Sequence, residues 1–359
     1  MIGYFLQLIV ETTCLYHPSP CWSPDQQANV ISYTCWSGDQ QVQKSFFAYF
    51  INQKLLNNQS YNNSSPLSSL PCSMQLKLAY DRLFYALLDQ YDSTEAANIA
   101  DLVIEHVTGQ QRIDRARHPN TPVSATQTTQ LDNITTELLK GRPVQYVLGQ
   151  AWFGELPFYV NESVLIPRPE TDELVHWVLQ TCQQQQWSAP SIIDIGTGSG
   201  CIPITIKHRL PQAIMHAVDI SAAALAVAQQ NATTHHTNIH FHELDFLDNN
   251  TWTALPKNLD CIISNPPYVQ QSESATMHAR VLNHEPATAL FVPDNDALIF
   301  YKQIALFAQT HLSPKGYLFF EINEALGQAT CTLLESYGFT AELKQDMQGK
   351  DRMISARLS

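Results

Sequence analysis

The sequence predicts an α/β chain: an open, mostly parallel sheet covered on both faces, behind a small N-terminal helical domain. Three observations carry this. From Ser191 onward, short apolar β-branched runs alternate with helical stretches. A glycine-rich turn, Gly196 to Gly200, follows the first run and opens a helix. The stretch from Met74 to about residue 140 carries apolar residues at helical spacing.

Composition narrows the function classes. With 359 residues the chain is long enough for two domains, and 44% hydrophobic residues exclude a wholly disordered polymer. The net charge of −13 is a poor match to a phosphate backbone, so no direct nucleic-acid partner is expected. No apolar run reaches transmembrane length, and "MIGYFLQLIVETTCL" lacks a basic region and a cleavage site, so neither a membrane partner nor secretion is expected. The eight cysteines (14, 21, 35, 72, 182, 201, 261, 331) include no C-x-x-C pair, as expected of reduced thiols in a cytoplasm.

Residues 1–73 hold only Lys44 and Lys54 as bases, four of the cysteines and the polar tract "NNQSYNNSSPLSSLPCS". They are expected to be a poorly ordered extension, with Met74 the natural start. Residues 74–140 read as the helical domain. Leu76, Leu83, Phe84, Leu87 and Leu88 form its first stripe. Asp92 is an N-cap with Glu95 as capping partner, and the helix through Ile99, Leu102, Val103 and Val107 stops at Gly109. A further helix carries Leu131, Ile134, Leu138 and Leu139 and ends at Gly141, with Pro143 beyond. No acid–base set lies there, so this domain is expected to position a partner.

Residues 141–190 read as a β-rich linker, "AWFGELPFYV" and "SVLIPRPETDELV", with a first helix. Residues 191–359 form the α/β domain. Its strands are "SIIDIG", "IMHAVDI", "NIHFHEL", "DCIISN" and "GYLFFEI", one intervening helix is capped by Ser221, and the tail "TAELKQDMQGKDRMISARL" reads as an antiparallel hairpin at a sheet edge.

The turn "DIGTGSG" has G-x-G-x-G spacing, a near miss for the dinucleotide fingerprint. Gly196, Thr197, Gly198, Ser199 and Gly200 form a loop that a ligand can approach closely. Asp194 precedes it at the strand end, and Asp219 ends the next strand, where a carboxylate can accept from both ribose hydroxyls. An acid before the loop suits a cation better than a pyrophosphate, so S-adenosylmethionine fits. Asp245 and Phe246 end the third strand, where a carboxylate and an aromatic face could take an adenine. The bland alternative is a glycine turn that only packs helix on strand.

The fourth strand ends in "SNPPYV". Pro266 restricts Asn265 to extended backbone, and Pro266 and Pro267 have fixed φ and no N–H. The Asn265 carboxamide oxygen and the Pro266 carbonyl are then two rigid acceptors, suited to an –NH₂ group on a planar framework. Tyr268 could pack over that group. A proline-rich turn without a ligand is the alternative.

At these residues the chain resembles a known family. "DIGTGSG", "VDIS" and "SNPPYV" look like class I AdoMet-dependent methyltransferases, with a Rossmann-like, seven-stranded sheet. "GRPVQYVLG", "LIPRPETDELV", "EPATALF" and "DMQGKDRM" resemble the HemK/PrmC-type protein-(glutamine-N5) methyltransferases of peptide chain release factors. The resemblance runs from Met74 to the end and implies methylation of the glutamine in a Gly-Gly-Gln motif. Asn265 and Pro266 would hold that amide, with Pro267 and Tyr268 beside it, and the glycine loop, Asp219 and Phe246 would hold AdoMet. It also implies a helical domain that recognises the release factor; the enzyme is expected to act as a monomer. A glutamine methyltransferase of a ribosomal protein, a nucleic-acid amino methyltransferase and a non-catalytic AdoMet-binding module are the competing readings.

Three features remain open. Arg168, Glu170 and Glu173 of "PRPETDEL" are site candidates or simply a charged helix start. Glu321 lies either near the site or at the surface. His235 and His236 read as loop and His240 and His242 as one strand face; no metal is expected there.

Overall fold

The computed structural model describes residues 74–359. The expectations for residues 1–73 lie outside the described residues.

Five helices lead the described chain: α1 (Leu76–Leu87), α2 (Ser93–Thr108), α3 (Arg112–Arg117), α4 (Ala125–Leu139) and α5 (Val144–Leu148). Leu76, Leu83, Leu87, Ile99, Val103, Leu131, Ile134 and Leu138 make one buried cluster. Asp92 caps α2 by accepting from the Thr94 and Glu95 amides, and Gly109 ends it at φ +69°. Glu95 does not return the capping bond; it faces Arg280 instead. Leu88, Leu102 and Leu139, counted above among the apolar stripes, are exposed. Each directly adjoins a buried stripe residue, so it points about 100° away from the core.

The linker is less β-rich than expected. "AWFGELPFYV" supplies two three-residue strands, β1 (Ala151–Phe153) and β2 (Leu156–Phe158), joined by Gly154 and Glu155, both at positive φ. "SVLIPRPETDELV" forms no strand. It runs into α6 (Pro169–Gln184), with Pro169 in the first turn, where its missing N–H costs nothing.

The remaining elements are β3 (Ser191–Ile195), α7 (Cys201–Arg209), β4 (Ile214–Asp219), α8 (Ala222–Thr234), β5 (Ile239–Glu243), β6 (Leu259–Ser264), β7 (Val269–Gln270), α9 (Ala279–His284), β8 (Phe291–Val292), α10 (Ile299–His311), β9 (Leu312–Glu321), α11 (Gly327–Ser336), β10 (Phe339–Gln345) and β11 (Asp351–Leu358). The seven-stranded sheet has the order β10-β11-β9-β6-β3-β4-β5. Strands β9, β6, β3, β4 and β5 pair in parallel, and β11 is antiparallel to both neighbours. Helices α6 and α7 cover one face through Leu174, Val178, Ile204 and Ile206. Helices α10 and α11 cover the other through Ile304, Phe307 and Leu334.

The chain leaves β3 toward β4 and β5, then returns to β6 on the other side. The order therefore reverses between β3 and β6. A crevice opens at the carboxyl ends of strands at such a point. Asp194 and Asn265 both fall there.

Candidate active site

Gly196, Gly198 and Gly200 adopt φ of +77°, +54° and +77°, which L side chains rarely accept. A Cβ on Gly196 or Gly198 would meet nothing within 4 Å, so the loop faces open space at both. The loop is held from behind. The Gly196 and Thr197 amides donate to the Val218 carbonyl, both at 2.9 Å, and the Gly198 amide donates to Asp219 Oδ2 at 2.9 Å. Asp219 Oδ1 accepts from the Ser221 amide at 2.9 Å. Burial raises the Asp219 carboxyl above its ordinary value; the Ser221, Gly198 and Ile220 amides oppose this. Buried Asn231 joins Ser199 to the linker, donating to the Ser199 and Tyr159 carbonyls, both at 2.9 Å, and accepting from the Tyr159 amide.

Asp194 is fully buried, and neither carboxylate oxygen has a hydrogen-bond partner among the described residues. Burial lifts its carboxyl to about 7. The nearby Thr197 hydroxyl pulls it partly back without closing a well-formed hydrogen bond, and the Asp219 carboxylate pushes it up.

The second half of the site lies at the end of β6. Ser264 Oγ donates to the Ile195 carbonyl at 2.7 Å, which ties this end to β3. Asn265 Nδ2 donates to Thr171 Oγ1 at 3.1 Å, and Thr171 Oγ1 donates to Glu321 Oε2 at 2.6 Å. Tyr268 Oη donates to Glu321 Oε1 at 3.1 Å. Among the described residues, no hydrogen bond reaches Asn265 Oδ1 or the Pro266 carbonyl. Two acceptors therefore remain open beside the glycine loop.

Residues 168–293 match the Methyltransferase small domain, and residues 82–149 match the PrmC N-terminal domain. The release factor glutamine methyltransferase of Flavobacterium psychrophilum is 41% identical over 283 residues, covering 78% of this chain and 98% of the relative. That of Bacteroides thetaiotaomicron is 38% identical over 272 residues, covering 76% and 96%. That of Bacillus subtilis is 32% identical over 285 residues, covering 78% and 98%. The chain belongs to the release factor glutamine methyltransferase family.

Members of this family are AdoMet-dependent methyltransferases, and the residues present fit that cofactor. Asp194 is an orphaned carboxylate suited to an ammonium group, and Thr197 Oγ1 is a second unpartnered buried polar atom. The loop is open where a side chain would project.

Phe246 departs from expectation. It is 5% exposed and packs against Trp252 and Phe307, with ring centroids 5.4 and 5.2 Å away. Its ring belongs to the core and presents no free face. Exposed Asp245 lies two residues beyond the end of β5; its Oδ1 accepts from the Leu247 amide. The Tyr268 hydroxyl donates to Glu321, which leaves its ring free to serve as expected.

The "PRPETDEL" segment divides its work differently from the sequence expectation. Arg168 pairs with Glu285 of "EPATALF" at 2.6 Å, and the same carboxylate accepts from the Ile166 amide. Glu173 accepts from the Met347 amide at the β10–β11 turn. Thr171, between the charged candidates, is the member that reaches Asn265. Periodicity could not single it out, because its partners lie 94 and 150 residues away. Glu321, left open above, is 2% exposed and belongs to the site. His240 and His242 do share a face of β5, joined by His216 of β4, whose Nδ1 lies 3.1 Å from His242 Nε2.

Proposed function

We propose that this protein transfers the methyl group of S-adenosylmethionine to the side-chain amide nitrogen of the glutamine in the Gly-Gly-Gln motif of peptide chain release factors. The observation that carries the reading is the pair of open acceptors, Asn265 Oδ1 and the Pro266 carbonyl, beside the glycine loop in a chain of this family.

When bound, S-adenosylmethionine supplies an electrophilic methyl group on a sulfonium. The glycine loop would hold it, with Asp194 available to the ammonium group, Asp219 to the ribose and Asp245 to the adenine. A primary amide nitrogen is a weak nucleophile because its lone pair is delocalised into the carbonyl. Asn265 Oδ1 accepts one of its N–H groups and the Pro266 carbonyl the other. The two bonds fix the nitrogen's direction and favour build-up of lone-pair density away from both acceptors. Fixed geometry of this kind supplies several kcal/mol of barrier reduction, of the order of 7–11 where alignment is complete. No strong base is needed beforehand, because the surplus proton leaves after transfer. Tyr268, braced on Glu321, walls the pocket.

The helices α1 to α5 recognise the release factor. Arg280 links them to the segment after "NPPY". It donates to the Gln90 carbonyl at 2.7 Å and lies 3.7 Å from the Tyr91 ring centroid. The enzyme works as a monomer in the cytoplasm, where its substrate is found, and its acidic surface keeps it off nucleic acid. Among the described residues, no helix is long and apolar enough to cross a membrane.

The test is incubation of the full chain with methyl-labelled S-adenosylmethionine and unmethylated release factor, followed by peptide mass spectrometry. The expected result is one added methylene on the Gly-Gly-Gln glutamine, abolished by Asn265→Ala. Transfer to a ribosomal protein or a nucleic acid, with none to release factor, overturns the substrate.

A further inference from the structure

The Asn265 carboxamide has a problem that packing cannot solve. Its oxygen and its nitrogen have nearly the same size, so a close-fitting pocket accepts either orientation. Only one orientation works: the oxygen must face the substrate amide, which offers two donors. The reverse orientation would set an –NH₂ against an –NH₂.

We propose that Thr171 and Glu321 are positioning residues that lock the Asn265 carboxamide with its oxygen toward the substrate. This rests on the reading of Asn265 given above. The lock follows from counting protons. Glu321 ends β9, is 2% exposed, and as a carboxylate can only accept. Thr171 has a single hydroxyl proton, and it goes to Glu321 Oε2 at 2.6 Å. The hydroxyl therefore turns a lone pair to Asn265, 3.1 Å away. Only the –NH₂ end of the carboxamide can meet a lone pair, so Oδ1 faces the opening.

Glu321 is itself held in place. Its second oxygen accepts from Tyr268 Oη at 3.1 Å, and its backbone carbonyl accepts from Tyr301 Oη at 3.1 Å. Both carboxylate oxygens are thereby anchored, and the Asn265 –NH₂ bonds Thr171 rather than Glu321. The lock joins three elements: the first turn of α6, the end of β9 and the loop after β6. It also gives the threonine of "PRPETDEL" a role that its charged neighbours do not fill.

The test uses Thr171→Val, which keeps the shape and removes the hydroxyl, Thr171→Ser, which keeps the hydroxyl, and Glu321→Gln. In Glu321→Gln the new amide can donate to Thr171, so the hydroxyl proton is free to turn to Asn265 Oδ1. Thr171→Val and Glu321→Gln are expected to lower kcat by about 10- to 100-fold, the usual cost of losing an outer partner that orients a site group. Affinity for S-adenosylmethionine and KM for release factor should stay unchanged, and Thr171→Ser should keep most of the wild-type kcat. A direct readout needs no turnover: in NMR spectra the Asn265 side-chain –NH₂, assigned by its loss in Asn265→Ala, should be protected from exchange in wild type and Thr171→Ser, and unprotected in Thr171→Val. Thermal melts check that each variant is folded.

Wild-type kcat in folded Thr171→Val overturns the lock. So does an equal loss in Thr171→Ser and Thr171→Val, which would mark a packing role. If even the wild type methylates no release factor, the substrate reading fails, while the exchange protection of Asn265 still decides the lock.

Discussion

Asp194 should make the free enzyme less stable as pH rises, and replacing it should expose that cost. Its carboxyl has an ordinary value of 3.8 and is lifted to about 7 by burial. An acid with a raised folded-state value holds its proton after the unfolded chain has released one. The penalty is absent below the unfolded value, grows as pH climbs through the interval, and is complete above about 7. An interval of that width corresponds to about 4 kcal/mol at pH 8. Asp194 is fully buried, so water screens little of it. Thr197, Asp219 and Cys201 are the neighbouring groups, and all are kept in Asp194→Asn. That variant adds an unpartnered –NH₂, a pH-independent cost of about 1–3 kcal/mol. The slope with pH is therefore diagnostic, and the absolute difference is not. Denaturant unfolding of both proteins from pH 4 to pH 8, without cofactor, is the assay. Relative to wild type, the variant should gain several kcal/mol across the range, about 10 °C in Tm. Affinity for S-adenosylmethionine should fall at the same time, since the ammonium group loses its counter-charge. A wild-type-to-variant difference that stays constant with pH would refute the reasoning.

Four further outcomes follow from the same geometry. Glu321 faces Thr171 and Glu170 of α6, Tyr268 of the loop and Arg352 of β11; burial raises its carboxyl, opposed by the Thr171 and Tyr268 hydrogen bonds and by Arg352. Its protonation at low pH should produce an acid limb in kcat above the ordinary value of 4.5, absent in Glu321→Gln. Gly200→Val should destabilise by about 2–4 kcal/mol in thermal melts, because the new Cβ would lie 3.0 Å from Ile204 Cδ1 and 3.1 Å from Ala228 Cβ at φ +77°. Gly196→Ala meets no atom, so it should cost only about 1–2 kcal/mol of backbone strain while weakening cofactor binding measured by calorimetry. Arg168→Ala leaves the Glu285 carboxylate buried and unpaired, and should cost about 2–3 kcal/mol in chemical denaturation, less than a fully buried pair because Arg168 is part-exposed.

Much of the fold was legible because local chemistry carries it. The Asp92 and Ser221 caps and the Gly109 stop each satisfy orphan backbone groups of their own helix, so nearby residues suffice to place them. The short β-branched runs became β3 to β6 and β9, and the tail became the β10–β11 hairpin. Helix α3 has no signature in the sequence because none of its residues is buried, so no apolar period marks it. The linker, expected to be β-rich, holds strand only in β1 and β2. Val160 and Val164, outside any strand, pack against Ala224 and Val227 of α8.

By itself, the sequence determined the glycine loop, the acids at successive strand ends and the rigid Asn-Pro-Pro-Tyr terminus. Each is a contiguous segment whose backbone preferences act within a few residues. The tertiary structure alone decided three things. It buried the Phe246 ring in the core, it left the Asp194 carboxylate without a partner, and it set Thr171 between Asn265 and Glu321. The physical reason is the same in each case. Whether a ring is covered, or which acceptor meets which hydroxyl proton, depends on groups brought together from distant parts of the chain. No local preference encodes that meeting.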